Sequence, residues 1–158
     1  MELVELDEGQ ESLTRLPIVA SAAFEESQSI GAARDMACEF LTSVQAVHGL
    51  PVSRRAMGVV ELVVSELVTN ARKYALGPCL LDLEIIEGAV QVSVWDSSTT
   101  LPSVLPADPH RVGQHGLEIV MALSQAFSIH REVVGKRITA AVVLADDTGG
   151  DMTGRQAP

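Results

Sequence analysis

Aromatic residues are scarce in this chain, which has one tryptophan, one tyrosine and three phenylalanines among 158 residues. Aliphatic side chains must therefore fill the core, and a hydrophobic content of 47% is enough to build one. No apolar run approaches the roughly 18 residues of a membrane helix, and the start of the chain lacks the basic residues of a secretory signal. The composition excludes general disorder and predicts a cytoplasmic protein without a membrane span.

Positive charge is also scarce, since 11 Lys and Arg residues stand against 21 Asp and Glu residues, for a formal net charge of −10. Such a field repels phosphate backbones and anionic lipids, so nucleic-acid binding is not expected. The two cysteines, Cys38 and Cys79, are far apart, and the four histidines fall at no metal-ligand spacing. The chain therefore shows neither a disulfide framework nor a zinc site, and both cysteines are interpreted as small apolar residues.

Length and composition predict one folded domain with a tail at each end. Residues 1–12 are acidic and polar, and residues 146–158 lack apolar periodicity, so both segments are expected to be flexible. The folded domain is expected over residues 13–145, because a chain of this length has room for one domain of ordinary size.

Apolar residues at helical spacing predict two consecutive helices. The first helix has its N-cap at Ser27 or Ser29 and runs to about Val47. The second and longer helix begins at Ser53 and ends before Gly77.

Strands are predicted around these helices. Five stretches have the apolar or alternating character of strands, at residues 16–24, 81–85, 90–94, 127–133 and 138–144. A turn at Glu87 and Gly88 makes the second and third of them an antiparallel hairpin. Residues 97–115 are interpreted as a candidate lid, followed by a short helix from Gly116. This order predicts an α+β fold, a two-layer α/β sandwich with helices on one face of a mostly antiparallel sheet.

Glu66 and Asn70 are the first candidate functional residues. They are four residues apart on the longer helix, so they share one side of it, at the border of the apolar stripe. A carboxylate beside a carboxamide can hold hydrated Mg²⁺ through the amide oxygen and can position or deprotonate a nucleophile, as phosphoryl transfer requires. Such a pair is equally typical of a solvated helix face, and both interpretations stay open on spacing alone.

The surrounding run, residues 65–71, resembles the N-box of the GHKL ATPases, the group of gyrase, heat-shock chaperone, histidine kinase and MutL. It is most similar to the branch of RsbW-like anti-sigma-factor serine/threonine kinases, in which an aromatic residue or His and then Ala follow, here Tyr74 and Ala75. The resemblance covers residues 16–144 and implies the GHKL (Bergerat-type) ATP-binding fold. It also implies that Asn70 holds Mg²⁺ and that Glu66 is the catalytic base.

Asp96 resembles the first residue of a second family motif, Asp-x-Gly-x-Gly, whose carboxylate accepts a hydrogen bond from the adenine amino group. The glycines of that motif are Ser98 and Thr100 in this chain, so the backbone has less conformational freedom there. An Asp that ends a strand and begins a turn is the alternative interpretation.

Residues 113–120 resemble a third motif, Gly-x-Gly-Leu-x-x-Val, which cradles phosphate at a helix N-terminus. One glycine of the pair is displaced to Gly113 or replaced by Gln114. A glycine that only joins a loop to a helix is the alternative interpretation. His115 and Lys73 are interpreted either as phosphate contacts or as exposed side chains. The cofactor-binding candidates are Asn70, Lys73, Asp96, Ser98, Gly113, His115, Gly116 and Leu117.

The resemblance implies an ATP-dependent serine/threonine protein kinase that also acts as an anti-sigma factor in transcription regulation, with ATP and Mg²⁺ as cofactors. Its implied partners are a sigma factor and an antagonist protein that it phosphorylates, and the family commonly forms homodimers. The altered glycines favour an alternative, a non-catalytic regulatory module that keeps the fold and acts by protein contact. The presence of Glu66 and Asn70 favours the kinase.

Overall fold

The computed structural model describes residues 16–75, 77–98 and 116–145. The elements are β1 (Val19–Phe24), α1 (Ile30–His48), α2 (Arg54–Tyr74), β2 (Cys79–Ile86), β3 (Ala89–Asp96), α3 (Gly116–Leu123), β4 (Ala126–Arg131) and β5 (Lys136–Val143). The predicted order of helices and strands is confirmed. Both predicted tails, and all of the candidate lid beyond residue 98, lie outside the described residues.

Serine caps begin the two long helices. The side chain of Ser29 accepts a hydrogen bond from the amide of Ala32, so Ser29 and not Ser27 is the N-cap of α1. Ser53 accepts the corresponding bond from the amide of Ala56, at 3.0 Å, and begins α2 where the sequence predicts. Each bond satisfies an amide that the first helical turn leaves without a partner.

The five strands form one sheet in the order β1-β2-β3-β5-β4, and every neighbouring pair is antiparallel. The predicted hairpin joins β2 and β3 through Glu87 and Gly88, whose φ angles of 49° and 80° are those of a two-residue turn that matches the strand twist. Two predicted strands are shorter than expected. β1 begins only at Val19, and β4 ends at Arg131 because a turn closes there, with the amide of Glu132 donating to Gly135 O.

The helices cover one face of this sheet, with α2 over strands β2, β3 and β5. The buried residues of α2 are Ala56, Val59, Val60, Val63, Val64, Leu67, Val68 and Ala71. They pack on the inward residues of the central strands, such as Leu81, Val92 and Ala140, so the core is aliphatic as the composition predicts. Within the described ranges no helix combines the length and apolar character needed to cross a bilayer.

Side-chain hydrogen bonds attach α1 to α2. Arg34 Nη1 donates to Ser65 Oγ at 3.1 Å, and Cys38 Sγ donates to Glu61 Oε2 at 2.6 Å. Cys79 is buried in the core, whereas Cys38 is half-buried and carries this polar contact, so Cys38 is more than a small apolar residue. Both contacts involve residues of α2 that precede Asn70, so the end of the helix near Asn70 can meet other elements.

Candidate functional site

Glu66 lies against the first residue of α3. A Cβ atom built on Gly116 would stand 2.1 Å from Glu66 Oε1 and 3.1 Å from Glu66 Cδ. Only a residue without a side chain allows the Glu66 carboxylate to approach the backbone so closely. The structure thus joins the carboxylate of the N-box-like run to the glycine of the third motif, at the N-terminus of a helix where anions are favoured.

Asn70 lies one turn beyond Glu66 on α2, and its side-chain oxygen lacks the hydrogen bond that a buried acceptor normally has. Its Oδ1 atom is buried and has no hydrogen-bond partner within the described part of the chain. An unsatisfied buried acceptor costs about 1–3 kcal/mol, so a folded protein retains one mainly where something else binds to it. A lone carboxamide oxygen at the border of the core fits Mg²⁺, which prefers oxygen ligands.

The described residues offer no ready-made metal cage, since none of their His, Cys, Asp and Glu side chains form a group of three or more that could hold an ion. Mg²⁺ at nucleotide sites typically takes one or two protein oxygens and completes its shell with phosphates and water. A single oxygen from Asn70 is therefore in keeping with an ion that arrives with a nucleotide.

Asp96 ends β3 and is only 7% exposed. Its Oδ1 accepts a hydrogen bond from the amide of Ser98 at 2.8 Å, and its Oδ2 is 2.5 Å from the ammonium group of Lys136. Lys136 is fully buried, so this is a buried ion pair. Asp96 therefore begins a turn, as one interpretation of the sequence expects, and also presents a fixed, charge-compensated carboxylate at the end of the central strand.

Lys136 belongs to none of the three sequence motifs, although the strand pattern contains a signal for its role. The inward residues of β5 alternate as Lys136, Ile138, Ala140 and Val142, and Asp96 is in phase with the inward valines of β3. Asp96 and Lys136 are direct partners in the β3–β5 register. Two opposite charges at inward positions of neighbouring strands, where the other inward residues are apolar, predict a buried ion pair, because neither charge is tolerated alone in a core.

Gly135 brings the turn before β5 onto the same carboxylate. Its φ angle is 86°, and an added Cβ would lie 1.7 Å from the carbonyl oxygen of Asp96 and 2.9 Å from Ser97 Cα. Both atoms belong to the backbone, so only glycine fits. The close approach fixes the end of β3 against the start of β5.

Tyr74 links the two halves of the site. It lies one turn beyond Asn70 on α2, and its ring centre is 5.7 Å from Lys73 Nζ and 5.8 Å from Lys136 Nζ. Both distances are within the range of a cation–π interaction. The end of α2 that carries Asn70 is therefore next to the ion pair that holds Asp96.

The remaining cofactor-binding candidates differ in burial, and two of them lie outside the described residues. Ser98 is buried beside Asp96, and Leu117 is 8% exposed with its side chain in the core, so only its backbone can face a ligand. Lys73 is exposed, and its ammonium group is near the ring of Tyr74. Gly113 and His115 lie outside the described residues. Within the described residues, the candidate site thus consists of three parts, which are Glu66 with Gly116, Asn70, and Asp96 with its partners.

A comparison with protein families matches residues 29–142 to the histidine kinase-like ATPase domain. That range includes both long helices and most of β5. No curated protein matches the chain significantly.

Two solved structures are similar in fold. One is the histidine kinase domain of the Erythrobacter litoralis EL346 blue-light activated histidine kinase, with 18% identity, a TM-score of 0.45 and coverage of 73% of this chain and 61% of that one. The other is the Acinetobacter baumannii histidine kinase AdeS, with 14% identity, a TM-score of 0.44 and coverage of 91% and 79%. The chain thus spans less than two thirds of the first of these relatives.

Proposed function

This chain belongs to the histidine kinase-like ATPase domain family of the GHKL superfamily, and we propose that it is an ATP-dependent serine/threonine protein kinase that acts as an anti-sigma factor. Membership of that family implies ATP binding. The finer proposal, phosphorylation of an antagonist and sequestration of a sigma factor in the cytoplasm, is supported by the resemblance of residues 65–71 to the RsbW-like branch. The observation that carries it is the buried, unpartnered Asn70 oxygen one helical turn from Glu66.

Each residue of the site has a chemical role under this proposal. Asn70 would hold Mg²⁺ through its side-chain oxygen, and Glu66 would accept the proton of the partner's serine hydroxyl. When bound, Mg²⁺ supplies positive charge against the phosphate oxygens of ATP. The N-terminus of α3 at Gly116 adds backbone amides and the positive end of a helix dipole on the same side.

Asp96 would recognise the base. An ionised carboxylate offers roughly four acceptor positions, and the Ser98 amide and the Lys136 ammonium group take only part of that capacity. An acceptor at this depth suits the adenine amino group. It disfavours a base with a carbonyl group there, because two acceptors would face each other without a proton between them.

One observation favours the second candidate, a non-catalytic regulatory module with the same fold. Ser98, at the place of the first motif glycine, is buried and its amide is bonded to Asp96, so the backbone closes on the carboxylate itself. This hydrogen bond gives one carboxylate oxygen of Asp96 a partner within the protein itself. A protein of this kind would bind its partners but would not transfer phosphate.

The first experiment is a calorimetric titration with ATP, with and without Mg²⁺. We expect the wild-type protein to bind ATP and Asn70→Ala to lose at least about tenfold of the Mg²⁺-dependent affinity, the equivalent of about 1.4 kcal/mol. Thr42→Ala, an exposed substitution on α1, is the control and should bind as the wild type does. Absence of binding at millimolar nucleotide would refute both the metal site and the kinase.

A second experiment separates the kinase from the regulator. Phosphate incorporation into a candidate antagonist should be abolished in Glu66→Gln while ATP binding is retained, because Gln fills the same space beside Gly116 but cannot take up the hydroxyl proton. Partner binding without any transfer by the wild type would select the regulator. Equal transfer by wild type and Glu66→Gln would remove Glu66 from the catalytic role.

A further inference from the structure

We propose that Lys136 sets the base specificity of the nucleotide site by positioning the Asp96 carboxylate. Lys136 does not need to touch the nucleotide for this role, so it is a positioning residue. The inference rests on the proposed function, since it concerns the same ATP site, but it assigns a determinant that lies outside the three motifs.

The geometry holds the carboxylate from two sides. The Lys136 ammonium group binds Oδ2 at 2.5 Å and the Ser98 amide binds Oδ1 at 2.8 Å, so rotation of the carboxylate would break both contacts. Gly135 also clamps the backbone of Asp96 through a contact that admits no Cβ atom. The orientation of the two oxygens is therefore set before any ligand arrives.

The environment makes the positive charge of Lys136 essential to the carboxylate's chemistry. Lys136 is fully buried, and its inward neighbours on β5 are aliphatic, as are those of Asp96 on β3. A buried carboxylate without a compensating cation relieves the cost of its charge by taking up a proton. An ionised carboxylate only accepts hydrogen bonds, whereas a carboxylic acid also donates one.

This difference in hydrogen bonding allows a carboxylate to distinguish adenine from hypoxanthine. Adenine carries an amino group at the position where hypoxanthine carries a carbonyl oxygen. An acceptor-only Asp96 favours the amino group, and a protonated Asp96 can satisfy either base. The ring centre of Tyr74 is 5.8 Å from Lys136 Nζ, so an aromatic face lies near the ammonium group on the helix side. Lys136 thus maintains the state of Asp96 in which the two bases are distinguishable.

The test compares the affinities of the full-length protein for ATP and ITP in the presence of Mg²⁺. Because a hydrogen bond to a charged group is worth about 10- to 100-fold in affinity, the wild type should prefer ATP by about that factor. Lys136→Met should reduce the preference to about threefold or less. Lys136→Gln, which keeps an amide donor without the charge, should also reduce it and serves where the Met variant does not fold.

Arg137→Met is the matched control. It removes the same charge from the adjacent residue, whose side chain lies on the opposite face of β5 with Glu132 and the Trp95 ring. We expect the wild-type ratio in this variant. A fall as large as that in Lys136→Met would mean that net charge, and not the contact with Asp96, sets the preference, and would overturn the inference.

A double-variant cycle tests whether Lys136 acts through Asp96. Adding Lys136→Met to Asp96→Asn should leave the ATP to ITP ratio of the single Asn variant unchanged, and removal of both charges avoids an uncompensated buried ion. A further change in the ratio would overturn the inference, as would a wild-type ratio in both Lys136 variants. Failure of the wild type to bind ATP would instead overturn the proposed function, and this inference with it.

Discussion

Substitution of Gly135 by Ala tests whether the close contact of Gly135 with the backbone of Asp96, called the clamp on Asp96 below, stabilises the fold. Gly135 has a φ angle of 86°, and its added Cβ would meet the Asp96 carbonyl oxygen at 1.7 Å, the Asp96 carbonyl carbon at 2.7 Å and Ser97 Cα at 2.9 Å. All three atoms belong to the backbone, so no side-chain rotation can relieve the overlap. The turn and the end of β3 must move apart.

Gly49→Ala is the matched control, because Gly49 has a similar φ of 69° but no atom within 4 Å of an added Cβ. Its substitution should cost only the strain of a left-handed backbone, about 1–2 kcal/mol. Gly135→Ala carries that strain and also the cost of forced repacking, about 1–3 kcal/mol more. We therefore expect a total loss of about 2–5 kcal/mol for Gly135→Ala.

Urea unfolding followed by circular dichroism measures both losses, as differences in the free energy of unfolding between each variant and the wild type. At about 2–4 °C per kcal/mol, the two melting temperatures should differ by several degrees. ATP affinity should also fall in Gly135→Ala and not in Gly49→Ala, because only the first displaces Asp96. Equal losses of stability would show that backbone conformation alone explains the glycine, and that the clamp on Asp96 is not significant.

Three further predictions concern α1 and α2. Burial, together with Glu61, raises the pKa of the Cys38 thiol from 9.0 to about 11, so iodoacetamide should alkylate native Cys38 slowly at pH 9, and Glu61→Gln should accelerate the reaction. The folded protein keeps this proton to a higher pH than the unfolded chain, so the Cys38 thiol stabilises the fold below pH 9, and this stabilisation is lost as the pH rises toward 11. In Cys38→Ala, the free energy of unfolding measured in urea should therefore fall less over that pH range. Ser53→Ala should lower the free energy of unfolding by about 1 kcal/mol, because the N-cap hydrogen bond is lost. Ser43→Ala, at an exposed position in the middle of α1, is the control and should not lower it. Equal effects of the two substitutions in urea unfolding would contradict the capping role.

Much of the fold is predictable from the sequence because it is encoded in local patterns. The spacing of apolar residues in α2, the serine at its N-cap and the Glu87-Gly88 turn each correspond to one local conformation. The strand ends are less predictable. Residues 16–18 are apolar enough for a strand, yet only partner residues on β2 decide where pairing begins, and that pairing begins at Val19.

The candidate site also has some features that the sequence predicts and others that depend on how the elements pack. Helical spacing places Glu66 and Asn70 on one side of α2, but the contact of Glu66 with Gly116 depends on how α3 packs against α2, which no local pattern specifies. The ion pair of Asp96 and Lys136 could have been predicted, since both residues are in phase with buried rows. The unpartnered oxygen of Asn70 could not, because it depends on what the surrounding elements fail to provide.

Two features of the candidate site, within the described residues, are costly for stability. A buried oxygen without a partner at Asn70 costs folding energy, and a buried ion pair such as Asp96 with Lys136 is often no more stable than an apolar pair of similar size. A sequence selected only for a stable sandwich would replace both with aliphatic residues, as it has at the neighbouring inward positions. They lie next to each other across Tyr74, and their chemistry is complementary, since one suits a cation and the other a base with an amino group. Local conflicts of this kind are expected where a ligand completes the structure, so these two positions are where we expect the proposed nucleotide to bind.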